Sequence, residues 1–175
     1  QLAALLHDIA DWKFHGGSLE EGPKQAREWL TKLDVPDEII SHVCSIIKTL
    51  SFKGLGAVSP METKEGMIVQ DADRLDAIGA IGIARAFAYG GHKGRDIYNP
   101  AKPPETHATV DEYKKSEGST INHFYEKLLH LKDLMNTPTA KALAEERHMY
   151  MERFLEQFYR EWETTYGLLK RFTQK

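Results

Sequence analysis

Two groups of residues in this chain have types and spacings suited to chemistry. The first is His7-Asp8, followed three residues later by Asp11. If this stretch is helical, His7 and Asp11 lie one turn apart on one face, and Asp8 projects about 100° away. A neutral imidazole beside a carboxylate suits a divalent metal such as Mn²⁺, Fe²⁺, Ni²⁺ or Zn²⁺. A further carboxylate nearby can orient or deprotonate an attacking water. The pair alone is a weak signal, because the chain has 8 histidines and a His-Asp dipeptide arises readily by chance. The second group is Asp71-Ala72-Asp73-Arg74-Leu75-Asp76, with Ile68, Val69, Leu75, Ile78 and Ile81 around it. An acidic cluster is usually a solvated helix face. Among apolar neighbours, however, carboxylates are costly unless paired or metal-bound.

The elements that must position these groups read as helices. Gln1 to Trp12 has the pattern of the end of an apolar helix, closed by the polar, glycine-containing stretch His15 to Gly22. Pro23 suits the first turn of a second helix to about Leu33, with Ala26, Trp29, Leu30 and Leu33 on one side. Pro36 opens a third helix to about Leu50, carrying Ile39, Ile40, Val43, Ile46 and Ile47 at helical spacing. Ser51 to Ser59 reads as a loop, and Met61 to about Tyr89 as helical again. Gly90 to Gly118, rich in glycine and proline, reads as a long irregular loop or lid. Ser119 to Met135 resumes a helix. Thr137 and Pro138 then form the N-cap and first turn of a long final helix. Its apolar stripe, Leu143, Tyr150, Phe154, Phe158, Trp162, Thr165 and Leu169, is expected to serve core or dimer packing. No strand pattern emerges, so the expected class is all-α.

The bulk numbers fit one soluble domain over residues 1–175. Hydrophobic residues make up 41% and charged residues 28%, and the formal net charge is -3. That balance argues against nucleic acid or an anionic membrane as a partner, so a phosphorylated substrate would need local cations or a metal. The single cysteine, Cys44, excludes an internal disulfide and a Cys-based zinc site, and suits the cytoplasm.

A His-Asp pair closing one apolar helix, with an Asp-Arg-Leu helix later in an all-α chain, resembles the HD-domain phosphohydrolase superfamily. The resemblance extends to its small bacterial YedJ/YpgQ-like hydrolases. It runs through Leu5 to Asp11, Ile47 to Gly54, Gln70 to Ile83, Gly90 to Arg95 and His123 to Leu129. It implies a compact helical HD-domain bundle with His7, Asp8 and Asp73 on a divalent metal (Mn, Ni, Co, Fe, Zn or Mg). It places Asp11 where other branches carry a glutamate that positions the attacking water. The family's first histidine should lie on a helix before His7. Residues 1 to 6 contain none, so that ligand is expected upstream of Gln1.

The implied activity is cleavage of a phosphoester or phosphoanhydride bond in a small phosphorylated substrate. A nucleotide is expected, through pyrophosphohydrolase or phosphatase chemistry. The alternative is a non-catalytic HD fold that binds a nucleotide or forms a homodimer through its aromatic final helix. Lys53, beside Gly54, is a candidate for meeting a phosphate as a point charge. His42 and Arg74 are further candidates for substrate contact, although a lone histidine on an apolar helix is more often a satisfied core residue. His92, Lys93 and Arg95 in the glycine-rich segment suit a lid over phosphates. His123 and Lys127, one turn apart, are candidates for the same cavity.

Overall fold

A computed structural model describes residues 1–10, 18, 20–50, 61–105 and 118–173, with side chains described as far as Thr165. Among these residues the chain is helical, without strands, as the periodicity predicts. It divides into two compact units. The first holds the described residues up to Asp73, and the second those from Arg74 onward.

The first unit holds α1 (Leu2–Leu6), α2 (Glu21–Lys32), α3 (Asp37–Leu50) and most of α4 (Lys64–Asp76). Its core is aliphatic. Ala26, Leu30, Ile40, Val43, Ile46, Ile47 and Leu50 are buried together with Ala3, Met61 and Val69. Cys44 joins them, and its thiol donates to the Pro23 carbonyl at 3.2 Å. Two helical faces turn out narrower than their apolar residues predict. Trp29 and Leu33 of α2 are 54% and 59% exposed, and Ile39 of α3 is also exposed. Ala26 and Leu30, one turn apart, fill the contact with α3, and Trp29 and Leu33 fall to the side of that line.

The first helix is shorter than expected. It stops at Leu6, and residues 7–10 form turns instead of the helix that would run to Trp12. His7 itself supplies the reason. Its Nδ1 lies 2.8 Å from the Ala4 carbonyl oxygen, the acceptor that Asp8 would use if the helix continued.

The second unit holds the last residues of α4, then α5 (Gly79–His92), α6 (Thr120–Glu126), a 3₁₀ helix (Leu128–Leu134) and α7 (Pro138–Thr173). Met61 to Tyr89 is therefore not one helix. The backbone breaks at Ala77 and Ile78, and Gly79 takes φ +77, a left-handed geometry that favours glycine after a helix end. The expected helix from Ser119 to Met135 likewise breaks at Lys127 (φ -145, ψ -59). There the His130 ring sits 2.8 Å from the Tyr125 carbonyl, which a continuing helix would offer to Leu129.

Ser119 caps α6, accepting from the Asn122 amide at 3.2 Å and donating to its side-chain oxygen at 2.9 Å. Thr137 accepts from the Ala140 amide at 3.3 Å, so the Thr-Pro pair opens α7 as its sequence predicts. The core of this unit is partly aromatic: Phe124 and Phe154 stack at 5.8 Å, and Phe87 packs against both. The buried line of α7 is Ala140, Ala144, His148, Met151 and Leu155. Leu143 and Tyr150 of the expected stripe are exposed, because each lies about 100° around the helix from that line. Leu169 lies outside the described side chains.

The segment expected to be a free loop from Gly90 is tied down over its described part. α5 continues to His92, the Asp96 and Ile97 carbonyls accept from the amides of Thr120 and Ile121, and the Lys102 carbonyl accepts from Asn122 Nδ2. Gly90 allows the close approach of α6, since a Cβ there would sit 2.2 Å from Thr120 Oγ1.

Candidate functional site

His7 is the C-cap of α1, and its ring is fixed at both nitrogens. A carbonyl only accepts, so the contact with Ala4 places a proton on Nδ1. Nε2 then faces the carboxylates: Asp8 Oδ2 at 3.2 Å and Asp73 Oδ1 at 3.9 Å. The histidine is about three-quarters buried and the Asp8 side chain is 68% exposed. The hydrogen bond to Asp8 raises the His7 pKa to about 9, with partial burial opposing and the Ala4 carbonyl and both carboxylate charges assisting. The two carboxylates thus favour positive charge on the ring.

Asp73 reaches this point because α4 packs its Val69 and Met67 side against the first unit's core. The start of α4 is set by Thr63, whose hydroxyl accepts from the Gly66 amide at 3.2 Å and lies 3.1 Å from His42 Nε2. His42 is therefore engaged in holding the helix start. Gln70 and Asp71, shortly before Asp73 on α4, are almost fully buried, at 2% and 3% exposure, and both have interaction partners. Asp71, the first member of the acidic run and given no site role in the sequence, is a buried carboxylate; its phase on α4, two positions before Asp73, distinguishes it. Of the apolar neighbours that made the cluster look buried, Ile68 and Ile81 are exposed.

The donor types here are one imidazole and two carboxylates, and a backbone carbonyl orients the imidazole through its other nitrogen. That is the usual support of a metal-bound histidine, and the set suits a divalent cation. It is a partial set: among the described residues, no three His, Cys, Asp or Glu side chains are already gathered at metal-holding distances. Asp11 and Lys53, the two expected catalytic residues, lie outside the described residues.

The remaining candidates belong to the second unit. Arg74 donates to the Leu134 carbonyl. His92 is exposed at the end of α5. Lys93 Nζ and Arg95 Cζ lie 5.7 and 5.9 Å from the centre of the Tyr89 ring. His123 is half-buried on α6, and Lys127 follows that helix at the break; both have interaction partners. No described helix is long and apolar enough to cross a membrane.

Residues 1–78 match the HD domain family. The chain is 42% identical over 159 residues to YpgQ of Bacillus subtilis, covering 90% of this chain and 69% of that protein. A crystal structure of that YpgQ in complex with ADP matches with TM-score 0.66 and 37% identity, over 91% of this chain and 73% of the other. A Lactobacillus plantarum structure matches with TM-score 0.80 and 44% identity, over 93% and 74% of the two chains. An HD-superfamily hydrolase from Bacillus thuringiensis matches with TM-score 0.65 and 51% identity, over 93% and 72%.

Proposed function

The chain belongs to the HD-domain family, and on that premise we propose that it hydrolyses a phosphoester or phosphoanhydride bond of a soluble nucleotide. The family supports a metal-dependent phosphohydrolase in general. The observation that carries the reading is the approach of Asp73 to within 3.9 Å of His7 Nε2, from a distant point in the chain. An imidazole and a carboxylate from distant positions in the chain face one point, and a second carboxylate, Asp8, adjoins them.

In this reading His7, Asp8 and Asp73 hold the cation. A divalent cation, when bound, polarises a phosphoryl oxygen and acidifies water. Asp11 would position the attacking water. Lys53 and, independently, Arg95 are candidates for meeting phosphate oxygens, the first as a point charge and the second through paired N–H donors. The nucleotide assignment draws on the relative bound to ADP.

The test is a panel of nucleoside mono-, di- and triphosphates with Mn²⁺, Ni²⁺, Co²⁺ and Mg²⁺, scored separately for phosphate and pyrophosphate. Release that requires the cation and disappears in Asp73→Asn supports the proposal. ADP binding without turnover under every cation would instead favour the non-catalytic nucleotide-binding module.

A further inference from the structure

The last turn of α4 is held from α7, and Asp73 stands in that turn. Helix α4 ends at Asp76, and tight three-residue bonds close it: Ala77 donates to Arg74, at 3.2 Å, and Ile78 to Leu75, at 3.3 Å. Arg147 of α7 donates from Nη1 to the Leu75 carbonyl as well. A guanidinium at a helix C-terminus gives a terminal carbonyl a second, charged donor and opposes the negative end of the helix dipole.

A second observation leads to the same side chain. Gly79 holds its left-handed backbone directly under the stem of Arg147, where a Cβ would meet Cγ at 3.0 Å and Cβ at 3.1 Å. Glycine at 79 thus both ends the helix and leaves the path by which Arg147 reaches Leu75. Arg74, the residue after Asp73, donates outward to the Leu134 carbonyl and fixes the same turn from its own side.

We infer that Arg147 is a positioning residue for the metal ligand Asp73. Without it the last turn of α4 frays, and the carboxylate loses its fixed aim at His7. This rests on the reading of Asp73 as a ligand. No sequence motif marks Arg147, which lies in a run of charged residues on a long helix.

The test compares Arg147→Met, Arg147→Lys, Gly79→Ala and Asp73→Asn in the full chain. Two quantities are measured: Mn²⁺ affinity by titration, and amide hydrogen exchange at Ala77 and Ile78 without metal. Arg147→Met and Gly79→Ala should weaken Mn²⁺ binding on the order of tenfold, the range seen when a ligand's support is removed. They should also speed exchange at the two amides about tenfold, as loss of a charge-assisted bond implies. Arg147→Lys should recover part of both. A folded Arg147→Met protein with wild-type Mn²⁺ affinity and wild-type exchange at these amides overturns the inference, even if its melting temperature falls. If Asp73→Asn leaves Mn²⁺ affinity unaltered, the ligand assignment fails by itself. The exchange rates, measured without metal, then decide whether the brace exists.

Discussion

The cluster at His7 and the basic segment from Tyr89 to Arg95 are the two most charged candidate regions, and they are built in opposite ways. At His7, groups from positions 7, 8 and 73 meet, and the meeting changes the chemistry of one of them: the imidazole holds its proton to about pH 9. In the basic segment the charges are neighbours in sequence and mostly exposed, and two of them rest on one tyrosine ring. Convergence of distant residues demands a packed scaffold and signals a selected arrangement. Adjacency demands only a turn, and a cation near a surface ring contributes on the order of 0.5–1 kcal/mol.

The sharpest way to break the contrast is at the convergent site. Asp73→Asn should cut Mn²⁺ affinity and cation-dependent hydrolysis on the order of a hundredfold or more, beyond the loss typical of supporting residues. Titration and turnover on the same preparation check it, and retention of both would make His7 and Asp73 a mere surface ion pair.

Next comes the anchoring of the chain that follows the basic segment. Ser119→Ala removes both cap bonds with Asn122, and should cost about 1 kcal/mol in urea unfolding. A change below the error of that measurement would show that the caps at α6 do not hold this region.

Arg95→Ala addresses the phosphate role proposed for the segment. The KM for a nucleoside di- or triphosphate should rise roughly threefold at constant kcat, because a contact equal in ground and transition states affects binding alone. An unchanged KM would leave Arg95 to its tyrosine. The smallest effect belongs to Lys93→Ala, an exposed position, where stability should move by less than about 0.5 kcal/mol. A larger loss would mean that the segment is more than a surface turn.

Much of the helical plan was legible because its signals are local. Pro23, Pro36 and the Thr137-Pro138 pair mark three helix starts within a residue or two, and Ser119 marks a fourth. Breaks were illegible when their cause is a side chain taking a backbone acceptor. The rings of His7 and His130 do so at Ala4 and Tyr125, and nothing in their immediate sequence separates them from an ordinary helical histidine. Burial along α7 was misjudged for a related reason. Ala140, Ala144 and His148 are small or polar, yet they form the packed line, and the larger Leu143 and Tyr150 stay outside.

By itself, then, the order of amino acids determined the all-helical class and marked His7-Asp8 and the Asp-Arg-Leu run as groups with metal-binding chemistry. Periodicity and capping act within one or two turns, so a linear string carries them completely. The resemblance already pointed to Asp73, through the Arg-Leu pair that follows it; only the tertiary structure decided that Asp71 is buried beside it and that Arg147 reaches the end of the same helix. Those choices depend on how whole helices pack and rotate against one another, and no short stretch of sequence encodes that rotation.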